Sequence, residues 1–300
     1  MKILITGRNG QVGWELARSL SVLGEVRAGD RRSFDLSKPD TLRQSVLDFR
    51  PDVIVNAAAY TAVDKAESEE AQATTINGEA VGELARAARE CGALFIHYST
   101  DYVFDGSKQG AYLETDDTCA VNAYGRSKLA GELATREVGG DWLVFRTTWV
   151  YAARGSNFMR TMLRLAASRE ELRIVGDQFG APTWARNIAD ATAQIVSRAI
   201  AERRGGTFRS GLFNLSAGGS TNWHGYAEAI IAEARRLQPD TEYMVKSIVP
   251  IRTDEYPLPA PRPANSLLSN DALQARFGVR LPDWRVGMSL CMAELPAAFR

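Results

Sequence analysis

Histidine is nearly absent from this chain. His97 and His224 are the only two in 300 residues, so neither a histidine-based nucleophile triad nor a multi-histidine metal site is expected. Cysteine is scarce too. Cys91, Cys119 and Cys291 are three, odd in number and far apart, which suits a reducing cytoplasm and shows no zinc spacing. Neither sign of charge dominates: 36 bases balance 36 acids, so electrostatics make no case for nucleic acid or a membrane surface as partner. No apolar run is long enough to span a bilayer, and Met1-Lys2-Ile3 leads straight into a strand pattern rather than a signal peptide. Repeats and low-complexity tracts are missing apart from the proline-rich 256–263 stretch, which reads as an extended loop. What remains is a cytoplasmic chain with length for an ample core.

Lys2-Ile3-Leu4-Ile5-Thr6 reads as a short, nearly all-apolar strand of a sheet covered on both faces. It runs into Gly7-Arg8-Asn9-Gly10-Gln11-Val12-Gly13 and then a helix from Trp14. Strand, glycine turn and helix together make a dinucleotide cradle. Glycine lets the backbone approach the pyrophosphate, and the helix N-terminus offers free N–H groups. The spacing is Gly-x-x-Gly-x-x-Gly, and a lone glycine triplet is usually only a turn. Its place as the first strand-to-helix crossing is what points to Gly7, Gly10, Gln11, Val12 and Gly13 as cofactor contacts. A second strand, 25–29, ends at Asp30-Arg31-Arg32. An acid there takes adenosine ribose hydroxyls, whereas the arginines would clamp a 2′-phosphate; both NADPH and NADH stay open. Asp35-Leu36 follows, with Asp35 in reach of the adenine amino group and Pro39 placed to start a helix. After the strand 52–56, Ala57-Ala58-Ala59-Tyr60-Thr61 lets the backbone lie against a cofactor, although small residues also serve plain packing.

A long helix is predicted over Glu67–Cys91, then the buried strand Ala93-Leu94-Phe95-Ile96 closing on His97-Tyr98-Ser99-Thr100-Asp101-Tyr102. Tyr124 and Lys128 stand four residues apart at the head of the next helix, on one face. An ammonium near a phenol favours the phenolate and lowers its pKa, and a tuned phenol exchanges protons with a carbonyl or alcohol. Thr100 can hydrogen-bond the same reacting oxygen. With nine tyrosines in the chain, the pair gains weight only from sitting at a strand–helix junction. After the strand 142–146 the rhythm loosens. Helices are predicted at 157–167, 184–203, 223–237, 270–277 and 283–299, strands at 172–175, 212–215 and 245–250, and a loop at 177–183. The fold expected is α/β, a Rossmann-type doubly wound parallel sheet with a smaller C-terminal α/β substrate-binding part. Residues 1–150 would carry the dinucleotide, and 151–300 mainly the substrate, with segments returning to the core.

The glycine turn, Ser99-Thr100-Asp101-Tyr102-Val103-Phe104 and Tyr124-x-x-x-Lys128 together resemble the extended short-chain dehydrogenase/reductase family. Asn56–Glu67, Phe145–Tyr151, Asp177–Thr183 and Arg262-Pro263-Ala264-Asn265-Ser266 are similar, within it, to the dTDP-4-dehydrorhamnose reductases. The resemblance covers essentially the whole chain. It implies NAD(P)H-dependent reduction of the C4 keto group of a dTDP-linked 4-keto-6-deoxyhexose, the last step to dTDP-L-rhamnose. Tyr124 is then the general acid, Lys128 holds the nicotinamide ribose and lowers the Tyr124 pKa, and Thr100 binds the reacting oxygen. Asp101, Tyr102 and Trp149 should line the sugar pocket, with Asn157 and Arg262 on the nucleotide part; core packing for Trp149 and a surface ion pair for Arg262 are the plainer alternatives. Some members place a divalent metal at a dimer contact, using acids on the first helix and after Ala-Pro-Thr. Glu15 is present here, but the second position is occupied by Thr183-Trp184-Ala185-Arg186. No metal is therefore expected, and a homodimer is left open. Rival functions are a nucleotide-sugar 4,6-dehydratase, for which Tyr102 stands where a base is needed, a 4-epimerase, and a non-catalytic dinucleotide-binding regulatory subunit.

Overall fold

The computed structural model describes residues 1–295. The apolar runs of the first half become parallel strands: β1 (Lys2–Thr6), β2 (Glu25–Gly29), β3 (Val53–Asn56), β4 (Leu94–Thr100) and β5 (Trp142–Thr147). Between them run α1 (Gln11–Ser19), α2 (Leu42–Phe49), α3 (Val63–Ala66), α4 (Glu70–Thr74), α5 (Ala80–Cys91) and α6 (Ala123–Val138). β3 and β4 are buried at every position. That is why their sequences read as unbroken apolar runs rather than alternating ones. Each fully buried Val, Leu or Ile on them contributes about 1.5–3 kcal/mol of transfer free energy. One face of the sheet buries Ile3, Ile5, Val55 and Ile96 against α1 and a later helix; the other buries Leu4, Ile54 and Phe95 against α2 and α5.

The second half contributes β6 (Val150–Tyr151), α7 (Phe158–Ala166), β7 (Glu171–Val175), β8 (Phe179–Gly180), β9 (Thr183–Trp184) and α8 (Ala185–Arg204). It continues with β10 (Gly211–Asn214), β11 (Thr221–Asn222), α9 (Trp223–Leu237), β12 (Ser247–Ile251), α10 (Asp271–Phe277) and α11 (Trp284–Ala293). β10 returns to pair with β5, giving the sheet order β10-β5-β4-β3-β1-β2. α8 packs against α1 in the same way. A separate apolar cluster, with Tyr151, Met159, Tyr226 and Trp284 at its centre, holds α7, α9 and α11 together. No helix among the described residues is long and apolar enough to cross a membrane.

Three expectations are corrected. The 177–183 stretch is not all loop, since β8 pairs with β11 and β9 with β6. The last helix stops at Ala293, and the 296–299 part of that prediction lies outside the described residues. The helix expected over Glu67–Cys91 begins only at Glu70 and carries a π-turn at Thr75–Glu79. Asn77 explains the turn. Its side chain leaves the helix register to bind Tyr60 from both ends, accepting from Tyr60 N (2.8 Å) and donating to Tyr60 O (3.0 Å), while also donating to Ser127 Oγ at 2.9 Å. Such bulges persist where side-chain partners outweigh the lost helix geometry.

The π-turn fits because α6 carries glycine opposite it. A Cβ at Gly131 would stand 2.2 Å from the Asn77 carbonyl oxygen. Gly131→Ala should therefore lower the urea midpoint, with overpacking worth roughly 1–3 kcal/mol exceeding the ~1 kcal/mol that alanine gains in a helix. Unchanged or higher stability would mean that the π-turn relaxes away freely.

Candidate active site

The order of the sheet reverses between β1 and β3, so their carboxyl ends open a crevice. A cavity of about 860 Å³ occupies it. Gly7 sits at the entrance with φ +77°, and a Cβ on it would meet Ala58 N at 2.7 Å. Only glycine allows the β1 turn to lie this close to the Ala57-Ala58-Ala59 backbone. Gly10, Gln11 and Val12 line the cavity at the start of α1, whose N-cap carries no side-chain hydrogen bond. Gly13 does not line it. It lies beneath the turn, where a Cβ would stand 2.1 Å from Gly7 O. The turn and the free α1 N–H groups fit a pyrophosphate.

Asp30, Arg31, Asp35 and Leu36 line the β2 end of the cavity. Asp30 Oδ1 accepts from Arg32 N at 2.9 Å, which folds the acid into its own turn. Asp35 is held by Ser37 N (3.1 Å) and Ser37 Oγ (2.7 Å), the hydroxyl being the main reason its pKa is lowered. Arg31 Nε lies 3.4 Å from Asp35 Oδ1, with three-quarters of its side chain exposed. Ala59, Tyr60 and Thr61 line the opposite wall, Tyr60 pinned by Asn77 and, through its hydroxyl, by Glu69 Oε2 at 2.8 Å.

At the far end β4 delivers Thr100, the turn after it Asp101, and α6 Tyr124 and Lys128, all lining the same cavity. Thr100 Oγ1 caps the short 3₁₀ turn Asp101–Val103 by accepting from Tyr102 N at 3.2 Å. Asn122 Oδ1 caps α6 through Gly125 N at 2.8 Å, and its Nδ2 ties that end to Pro261 O at 2.9 Å. Gly125 is tight against the strand side: a Cβ there would meet Tyr102 O at 2.1 Å. Burial pushes the Tyr124 phenol up to about 12, the Thr100 hydroxyl pulling it down and Asp101 pushing it further up. Lys128 is not among the groups that move it, contrary to the sequence expectation. Its Nζ is turned into the protein, to Tyr98 O at 2.5 Å and His97 Nε2 at 3.1 Å, and burial lowers its own pKa to about 7.

Tyr102 and Trp149 also line the cavity. Trp149 adopts φ +45°, a backbone state that a bulky residue occupies only when its surroundings impose it. Its ring lies flat on Trp223, 3.5 Å between centroids, over Gly180, where a Cβ would stand 2.5 Å from the indole. Trp223 is a wall residue that sequence reasoning missed, as are Ser99 and Asn9; nothing near residue 223 signals that it meets residue 149. Asn157 and Arg262 are not on the cavity wall. Asn157 caps α7 through Arg160 N (3.1 Å) and donates to Gln11 Oε1 at 2.8 Å, so it reaches the cofactor turn at second hand. Arg262 pairs with Asp64 at 2.9 Å and donates to Ala260 O.

Near α1, Arg186 pairs with Glu294 at 2.8 Å and approaches Asp190 at 3.9 Å, while buried Glu15 has its pKa raised by burial and pulled down by Arg18 and Arg186. Among the described residues no three His, Cys, Asp or Glu are grouped to hold a metal ion.

The model of the family described as "RmlD substrate binding domain" matches residues 1–296. A Burkholderia thailandensis protein named dTDP-4-dehydrorhamnose reductase is 62% identical over 295 residues, covering 98% of this chain and 99% of its own length. Among solved structures, a dTDP-4-dehydrorhamnose reductase from Clostridium acetobutylicum superposes with a TM-score of 0.88 at 33% identity, covering 98% of this chain and 99% of that one. One from Bacillus anthracis, in complex with NADP, gives 0.86 at 31% identity with the same coverage.

Asp101 offers a test of the site's electrostatics. Burial raises its pKa to about 6, against the pull of the Ser266, Thr148 and Thr100 hydroxyls. A carboxyl whose folded pKa is raised stabilises the fold below its unfolded pKa and loses that contribution as pH climbs through the folded one. Between pH 4 and 7 the native protein should thus lose on the order of 2 kcal/mol relative to Asp101→Asn, read from paired urea midpoints. Parallel pH profiles for the two proteins would refute the raised pKa.

Proposed function

The chain belongs to the RmlD substrate binding domain family, and on that premise we propose that it reduces the C4 keto group of dTDP-4-dehydrorhamnose with NAD(P)H, yielding dTDP-L-rhamnose. One observation carries the reading: Thr100, Tyr124 and Lys128 face the same cavity that the glycine turn opens. The reductase names of the relatives, and the NADP held by the Bacillus anthracis structure, support it. Residues 1–150 would hold the dinucleotide and most of the later residues the nucleotide sugar, with Trp149 and Trp223 as a flat apolar wall. A cytoplasmic place fits the three free cysteines.

A bound reduced nicotinamide supplies hydride to C4, and the chain supplies the rest. As the C4 carbon takes the hydride, its oxygen takes the former π electrons and needs a proton. Tyr124, kept protonated at neutral pH by burial, gives it, while the Thr100 hydroxyl fixes that oxygen. The ketone is reduced, the nicotinamide oxidised, and the phenol regains its proton afterwards. Elimination of water across C5–C6 needs a carboxylate base beside Asp101, and Tyr102 occupies that place.

Tyr124→Phe should lower kcat at least ~100-fold, the usual share of a general acid, with dinucleotide affinity little changed. Near-normal turnover of dTDP-4-dehydrorhamnose by this variant would remove Tyr124 from the mechanism. A 4-keto-6-deoxy product formed from dTDP-glucose, with no net nicotinamide consumed, would instead turn the assignment to a dehydratase.

Arg31 decides between the cofactors. Its guanidinium is exposed and only loosely paired with Asp35, free to take a 2′-phosphate. A charge-assisted contact of that kind is typically worth about 1.5–3 kcal/mol, so Arg31→Ala should cost roughly ten- to a hundred-fold in kcat/KM for NADPH and leave NADH almost untouched. Equal loss with both would make Arg31 structural.

A further inference from the structure

The 152–157 segment lies between β6 and α7, and its side chains reach back to the helix that follows the glycine turn. Arg154 lays its guanidinium 3.7 Å from the centre of the Trp14 ring on α1. Gly155 adopts φ +74°, and a Cβ on it would stand 3.4 Å from Gln11 Cγ. Gly155 and Ser156 line the same cavity as Gln11, and Arg160 Nη1 donates to Gly155 O at 2.8 Å. Asn157 Nδ2 completes the tie, donating to Gln11 Oε1 at 2.8 Å.

The orientation of both amides follows from partners that have no choice. Arg160 N is a backbone donor, so the Asn157 atom 3.1 Å from it is oxygen. The other arm of that amide faces the carbonyls of Ala152 at 2.8 Å and Arg154 at 3.4 Å, which only accept, so it is nitrogen. One of its N–H groups goes to Ala152 O and the other to Gln11. A donor needs an acceptor, so Gln11 meets it with Oε1 and keeps Nε2 for something else. That Nε2 has no hydrogen-bond partner among the described residues. Gln11 lines the cavity as the first residue of α1, beside N–H groups that no side chain caps. We propose that Asn157 is a positioning residue for the dinucleotide: by occupying Oε1 it holds the Gln11 amide so that Nε2–H is offered to the pyrophosphate at the α1 N-terminus. The helix N–H groups and Nε2 then donate to one anion. Without Asn157 the Gln11 amide is free to turn over, and Oε1 against a phosphate oxygen sets two acceptors face to face. Asn157 thereby ties α7, packed into the second apolar cluster through Met159 and Met162, to the cofactor turn.

The proposal rests on the reductase reading for the identity of the dinucleotide, so it is tested by titrating the full chain with NADPH and with NADH in the absence of sugar, following nicotinamide fluorescence. Gln11→Leu removes the donor and should raise Kd for both cofactors about ten-fold, the lower end of what a hydrogen bond to a charged group is worth. Gln11→Glu keeps the shape but sets a carboxylate oxygen where Nε2 stands, and should bind more weakly still. Equal affinities for these two variants would leave no anion at that atom and overturn the proposal. Asn157→Ser keeps a cap for α7 and loses the donor to Gln11. It should raise both Kd values roughly three- to ten-fold, and adding it to Gln11→Leu should cost nothing more. An unchanged Kd in Asn157→Ser, or losses that simply add in the double variant, would show that Asn157 does not act through Gln11 and overturn the proposal. Binding of dTDP should be the same in every variant; if dTDP weakens and the dinucleotides do not, Nε2 serves the nucleotide sugar and the proposal fails. A native chain that binds neither dinucleotide would refute the reductase reading and the proposal with it. Dinucleotide binding that follows the expected order, with no turnover of the sugar, would count against the proposed substrate and uphold the role of Asn157.

Discussion

Everything at this site depends on the parallel register of β1, β3 and β4. Three strands side by side in register place Thr6, Asn56 and His97 in one line at the carboxyl edge, and α6 crosses so that Lys128 ends it. Out of water, each member must find a partner or cost the fold a desolvation penalty of about 1–3 kcal/mol. The line therefore fixes side-chain orientations as firmly as packing does. It begins one residue before the glycine turn and finishes at Lys128, one helical turn from Tyr124, so the glycine turn and the Thr100–Tyr124 corner of the cavity share one frame.

Around that frame, close backbone approach does most of the shaping. Gly7 against Ala58, Gly125 against Tyr102 and Gly131 against Asn77 each leave no room for a Cβ. The first brings the turn to the cofactor wall, the second seats α6 so that Tyr124 reaches Thr100, and the third lets the π-turn form. Asn77 then couples the pieces, holding Tyr60 of the cofactor wall and Ser127 of α6 with one side chain. The distortion of the helix after α4 is the physical cost of that coupling. A strained Trp149 stacked on Trp223 lines the same cavity.

Charge is managed by pairing rather than exclusion. Glu132 and Arg146 are both buried and pair bidentately, and Glu132 favours the charged form of the neighbouring Lys128 against the stronger pull of burial. Asp101 has no such partner, and burial raises its pKa to about 6. Asp30, by contrast, is bound into its own turn by Arg32 N, while Arg31 beside it stays exposed.

The sequence by itself determined the doubly wound sheet, because apolar runs and glycine turns report burial and backbone freedom locally. It also pointed to Gly7, Thr100, Tyr124 and Lys128, which the fold brings to one cavity because their spacing encodes a strand end and one helix face. What required residues distant in the chain was decided only by tertiary structure. Asn157 turned inward to cap α7 and meet Gln11, Arg262 paired with Asp64, and Trp223 crossed from α9 to stack on Trp149. The direction of Lys128 belongs to the same class: i, i+4 spacing places it beside Tyr124, but its buried Nζ turns to the nearest polar partners, and those are a carbonyl and a ring nitrogen on β4. Periodicity records which face a side chain occupies; only packing in three dimensions supplies the partner it satisfies there.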